Sequence, residues 1–189
     1  MPAGRFRGLA PAVAAFAIGG LSGCGSMSIP FFGGKTAETP PAASCPAAVI
    51  LRPLANTAVF AGQAGELKPP NVAWYGVFSD ISVKCQVAGD TFRAALDDII
   101  VADRGPAVRG NDVDFTYFVS LTASDQTILG KKSFAVHVTV PSSAKRGGVN
   151  DHVEVAFATG GRPLSDLNIT VGFQQTPQAI EFYKNFRGR

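Results

Sequence analysis

The chain has 189 residues, of which 46% are hydrophobic and 16% charged, with a formal net charge of +3. Charge is sparse beside the roughly 25% usual in soluble domains, and so small a basic excess gives no electrostatic basis for nucleic-acid binding. The 21 glycines and 13 prolines follow no period, which excludes collagen-like repeats, and 14 phenylalanines supply core material that disordered chains lack.

Arg5 and Arg7 open the chain, and an uncharged apolar run follows from Gly8 to Leu21, interrupted by Pro11. About 14 residues fall short of the ~20 a spanning helix needs and match the apolar region of a secretory signal. The run ends in Leu21-Ser22-Gly23-Cys24. Positive start, apolar run and four-residue box together resemble the signal peptide and lipobox of bacterial lipoproteins. The resemblance implies removal of residues 1–23, a diacylglyceryl thioether on Cys24, and commonly a further acyl chain such as palmitate on its amine. Two or more chains make a durable membrane anchor where one is marginal. The rival reading is an ordinary cleaved signal with an incidental cysteine. Cleavage would remove two arginines and no acids, leaving a nearly neutral chain. Gly25 stands where aspartate favours inner-membrane retention in well-studied lipoproteins, so the expected address is the outer membrane, facing the periplasm.

Residues 24–44 hold the lipidated cysteine and a Gly-, Ser-, Pro- and Ala-rich linker that includes Pro40-Pro41. A flexible tether of ~19 residues has a root-mean-square span of about 25 Å. Cys45 and Cys85 remain once Cys24 is committed. In an oxidising compartment two such cysteines pair. No Cys-x-x-Cys motif favours redox catalysis, so a structural disulfide is expected, pinning the start of the domain to a strand in its body.

Short apolar runs at 47–51 and 57–61 read as strands, and 72–87 as a long β-prone stretch with a bend or bulge at Ser79-Asp80. Residues 91–102 suit alternation and also contain a helix-like Ala94-Ala95-Leu96; strand is preferred. Val113, Phe115, Tyr117, Val119 and Leu121 alternate with polar residues, and after a turn at 123–126 Phe134, Val136, Val138 and Val140 share a face. This pair predicts a hairpin. Val153, Val155 and Phe157 form the next alternating set, and Leu167, Ile169, Val171 and Phe173 the last. Thr176-Pro177 then opens a short helix, with threonine as cap and proline at the first turn. Seven or eight short strands and one short helix predict an all-β fold, a single antiparallel β-sandwich over 45–189. Immunoglobulin- or fibronectin-like topology is the default and a closed barrel the second choice.

Several phrases are similar to a group of alphaproteobacterial lipoproteins: Cys45-Pro46, Val83-Lys84-Cys85, Arg104-Gly105-Pro106, Tyr117-Phe118-Val119 leading into Leu129-Gly130-Lys131-Lys132, and the closing 171–178 with Asn185 and Arg187. The likeness spans most of 45–187. It implies a shared envelope address and domain and carries over no reaction.

Catalytic signatures are missing. His137 and His152 form no zinc pattern, no Gly-x-Ser-x-Gly elbow occurs, and Arg146-Gly147-Gly148 reads as a loop without phosphate-binding spacing. Asp97-Asp98, with Asp90 and Asp103 nearby, is the densest acidic cluster. Asn111-Asp112-Val113-Asp114 lacks the glycine and distal glutamate of a calcium loop and reads as a polar turn. No catalytic, cofactor-binding or metal-binding residue is therefore expected. Phe118 falls on the polar face of its strand; the expectation is that Ile180, Tyr183 or Phe186 of the C-terminal helix covers it, with an exposed aromatic patch as the alternative. The functional expectation is a non-enzymatic interaction or scaffolding module, held on the membrane by its lipid and contacting an envelope protein. A domain binding a small ligand or envelope polymer is the alternative. An enzyme of unfamiliar design around Asp151 and His152 ranks third.

Overall fold

The computed structural model describes residues 45–62 and 66–186. The expected signal 1–23, the lipidation site Cys24 and the linker 24–44 lie outside the described residues. Eight strands form: β1 (Ala47–Ile50), β2 (Asn56–Phe60), β3 (Val72–Ala88), β4 (Thr91–Arg104), β5 (Asp112–Ala123), β6 (Ile128–Thr139), β7 (Arg146–Ala158) and β8 (Leu167–Phe173). One helix, α1 (Pro177–Asn185), follows them.

The strands make two four-stranded sheets, ordered β1-β8-β5-β6 and β2-β3-β4-β7, packed face to face as a β-sandwich. Every neighbouring pair is antiparallel except β1 on β8, which is parallel. Three consecutive strands, β2, β3 and β4, lie side by side, an order different from the ABED/CFG arrangement of a constant-type immunoglobulin domain. Period-2 patterning decides which face is buried. Val113, Phe115, Tyr117, Val119 and Leu121 of β5 point inward against Phe92, Leu96 and Ile100 of β4. Phe78, Phe115, Tyr117 and Phe173 form an aromatic knot from both sheets, with ring centroids 4.6–5.5 Å apart. Residues 91–102 are strand, as preferred, because Phe92, Ala94, Leu96, Ile100 and Ala102 all share the core face.

The register of β3 against β4 slips between Phe78 and Asp80, leaving Ser79 as the extra residue of a bulge. One inserted residue reverses the side-chain phase. Trp74, Gly76 and Phe78 face the core before it, and Ile81, Val83 and Cys85 turn inward after it. Cys85 thereby faces Cys45, to which it is disulfide-bonded with a Cα–Cα distance of 5.6 Å. The bond ties the chain just ahead of β1, an edge of one sheet, to the far end of β3 in the other.

Two local expectations are corrected. Arg146-Gly147-Gly148 is not a loop; it begins β7, with Gly147 and Gly148 opposite Ala102 and Val101 of β4. The glycines obscured the strand in the sequence, yet a Cβ on Gly147 would lie 2.9 Å from the Val140 side chain, so the pairing requires a residue without one. Asp112 and Asp114 are likewise not a turn. They are the outward residues at the start of β5, opposite Thr139 and His137 of β6.

Thr176 caps α1, its Oγ1 accepting the Ala179 N–H at 3.1 Å, with Pro177 in the first turn. The helix does not cover Phe118. It lies on the outer face of β2 and β3, where Phe182 packs with Ala58, Val72, Phe60 and Tyr75. Phe118 instead lies under the Lys131 ammonium, 4.2 Å from its ring centroid. Strand phase identified Phe118 as outward but held no information on which sheet the helix would reach.

Candidate functional site

The acidic cluster read from the sequence is taken apart by the sheet. Asp90 sits in the β3–β4 turn, where its carboxylate accepts the Thr159 hydroxyl and the Gly161 N–H, and these bonds lower its pKa. Asp103 forms a two-point ion pair with Arg146, at 2.5 and 2.8 Å. Asp97 and Asp98 point to opposite faces, as neighbours in a strand must. They meet His152 and Asp151 respectively across the β4–β7 ladder.

On the outer face His152 Nδ1 lies 2.7 Å from Asp97 Oδ1, and both side chains are more than half exposed. The hydrogen bond to Asp97 raises the pKa of His152. His137 is held in the same way on the other sheet, with Nδ1 2.8 Å from Asp114 and Nε2 3.4 Å from Asp112. Its pKa is raised chiefly by the bond to Asp114. Asp151 and His152 therefore face opposite sides of the sheet. Among the described residues, the side chain hydrogen-bonded to His152 is Asp97. Among the described residues, no group of three or more His, Cys, Asp or Glu side chains is placed to hold a metal ion.

On the inner face Asp98 is fully buried, and neither of its carboxylate oxygens has a hydrogen-bond partner. Asp151, half-buried on the edge strand β7, accepts a 2.7 Å hydrogen bond from the phenol of Tyr117, which is fully buried in the opposite sheet. Burial pushes the Asp98 carboxyl up to about 6; the nearby Tyr117 hydroxyl partly offsets this, and the neighbouring charges of Asp151 and Asp97 add to it. Burial, reinforced by both aspartates, holds the Tyr117 phenol far above its ordinary pKa. This cluster was missed as a unit, although its signal was present. Asp98 falls in the apolar phase of Phe92, Ala94, Leu96 and Ile100, and Asp151 in that of Val153 and Val155.

Several concavities open on the surface of the described residues. A cleft of about 570 Å³ is lined by Val59, Ala73, Trp74, Arg109, Asp112 and Asp114 among others. Arg104 lies over the Trp74 ring at 5.1 Å and also donates to the carbonyls of Val140 and Gly110. A second groove, about 540 Å³, runs between the turn Arg52–Leu54 and α1. Leu54, Ile180 and Tyr183 give it an apolar lining, and Arg52 and Lys184 stand along it. Ile180 is 46% exposed. Gln175 Nε2 donates to the Asn56 carbonyl at 2.7 Å, while its Oε1, buried in the groove wall, has no partner. Lys184 is 3.5 Å from Glu181, and among the described residues no carboxylate pairs with Arg52.

No protein-family profile matches this chain, and neither a curated protein nor a solved structure was found to be similar to it.

Proposed function

We propose that the chain is a lipid-anchored envelope protein whose sandwich is a non-enzymatic interaction module, and that its groove beside α1 grips a peptide segment of a partner protein. The observation that carries the reading is the composition of this groove. It offers an apolar lining and the guanidinium of Arg52, which among the described residues pairs with no carboxylate. Arg52 selects a carboxylate, and Ile180 and Leu54 select an apolar side chain. An acidic peptide with one apolar anchor supplies both. The lipobox resemblance at Cys24 supports an encounter on a membrane surface, and removing that cysteine is expected to release the protein from the membrane fraction.

The test is a photo-crosslinking residue at position 180 of the full chain in its native cells. The expected product is a discrete protein adduct that disappears when Arg52→Glu is added. Labelling of lipid alone, or an adduct indifferent to Arg52, would reject the peptide-binding reading. The cleft beside Trp74 favours a second reading, a small-ligand site, because its volume lies within the roughly 300–1,000 Å³ of such pockets. A ligand that protects Trp74 fluorescence from quenching without affecting the crosslink would support it.

A further inference from the structure

We infer that Asp98 and Asp151 share a single proton inside the sandwich, forming a proton-operated latch between the two sheets. An ionised carboxylate only accepts, and neither buried oxygen of Asp98 receives a well-formed hydrogen bond, the one donor near it being the Tyr117 hydroxyl. The one donor at the cluster, the Tyr117 hydroxyl, is already given to Asp151. Ionised, Asp98 is a bare buried charge opposite another carboxylate. Protonated, it has one O–H to give, and the acceptors beside it are the oxygens of Asp151 and Tyr117. Two carboxyl groups in one site then hold one proton between them, since like charges so close do not both ionise readily.

The elements around the pair offer no cation. From β4 the nearest charge is Asp97, which faces outward to His152. From β7 it is Asp151 itself, and from β5 the Tyr117 phenol. The β3 residue opposite Asp98 is Ile81, and β6 presents Phe134 to Tyr117, with ring centroids 5.5 Å apart. Among the described residues no Lys, Arg or His pairs with either carboxylate. The desolvation that raises the Asp98 carboxyl acts in the same direction.

The latch has a defined moving part. β7 is the edge strand of its sheet, held within it by β4 alone. With the proton in place, Asp98, Asp151 and Tyr117 bind β4, β7 and β5 into one hydrogen-bonded unit. When the proton leaves, two negative charges face each other across the β4–β7 ladder, and β7 has the freedom to separate. Acidification therefore tightens this domain where it loosens most proteins.

The test uses the full chain in detergent micelles, comparing wild type, Asp98→Asn and His152→Gln. The wild-type thermal midpoint is expected to rise by roughly 5–10 °C from pH 8 to pH 5. Asp98→Asn should start higher at pH 8 and lose most of that rise, while His152→Gln should keep most of it. Infrared spectra should show a protonated carboxyl band in wild type at pH 5 that Asp98→Asn lacks. An identical pH response and infrared band in wild type and Asp98→Asn would overturn the proposal. So would a wild-type midpoint at pH 8 raised by calcium or sodium ions but unchanged by them in Asp98→Asn, which would assign the cluster to a metal cation. If Asp98→Asn does not fold, Asp98→Leu removes both charge and hydrogen-bond demand and carries the same expectations.

Discussion

The hydroxyl of Tyr117 reaches across the sandwich to Asp151, and this 2.7 Å bond joins the middle of one sheet to the edge of the other. Few polar groups lie on the inner faces, so the bond concentrates in one place the polar linkage between sheets otherwise held by apolar packing.

Tyr117→Phe keeps the ring in the aromatic knot and removes only the oxygen. Asp151 then loses its donor inside a half-buried site. The expected cost at pH 8 is about 1–3 kcal/mol, measured by urea unfolding. The cost should shrink at pH 5. Asp98 has a folded pKa of about 6, above its ordinary 3.8. Its contribution is therefore fully present below about 4 and is lost as pH rises through 6, and a protonated Asp98 supplies the donor that the phenylalanine lacks.

Reduction of the Cys45–Cys85 bond frees a loop with a sequence separation of 40 residues. The entropic estimate for such a loop is about 4 kcal/mol. Cys45→Ser with Cys85→Ser should lower the urea midpoint accordingly. Amide exchange should speed most in β1, which is a short edge strand paired only to β8.

His152 and His137 should titrate above the ordinary 6.5 by NMR, because each is hydrogen-bonded to an aspartate. Asp97→Asn should bring His152 down and leave His137 unchanged. A raised histidine pKa gives stability that is complete below 6.5 and fades as pH passes the folded value. Both side chains are exposed and screened by solvent, so the effect on unfolding should be small beside that of Asp98.

Phe182→Ala and Ile180→Asp separate packing from recognition on one helix. Phe182 is 3% exposed and touches Phe60, Tyr75, Tyr183 and Phe186. Its truncation should cost about 3–5 kcal/mol by thermal or urea unfolding. Ile180 faces outward, so Ile180→Asp should leave the midpoint within about 0.5 kcal/mol while abolishing partner crosslinks.

Much of the fold was legible because alternation is a local signal. The strands from Thr57 to Phe173 announced themselves by it, and Thr176-Pro177 marked the helix start. Gly147-Gly148 failed as a strand signal because the reason for those glycines is a tertiary clash with Val140. Strand order was not legible: nothing local to Ala47–Ile50 says that it joins β8 in parallel. The groove was hidden for the same reason, since Arg52 and Ile180 lie far apart in the chain. Asp98 was different. Its strand phase already placed it inside, and pairing it with Asp97 by sequence adjacency concealed that.

The Cys45–Cys85 bond also sets where mechanical load travels. A pull on the chain ahead of Cys45 divides at that residue, and the covalent branch leads straight into β3, the longest strand, where it is paired with β4. β1 is thereby spared from peeling off β8 strand end first. Tension arriving from the N-terminal side must instead work on the long β3–β4 ladder, which Cys85 enters opposite Ala94, rather than on the short β1–β8 pairing.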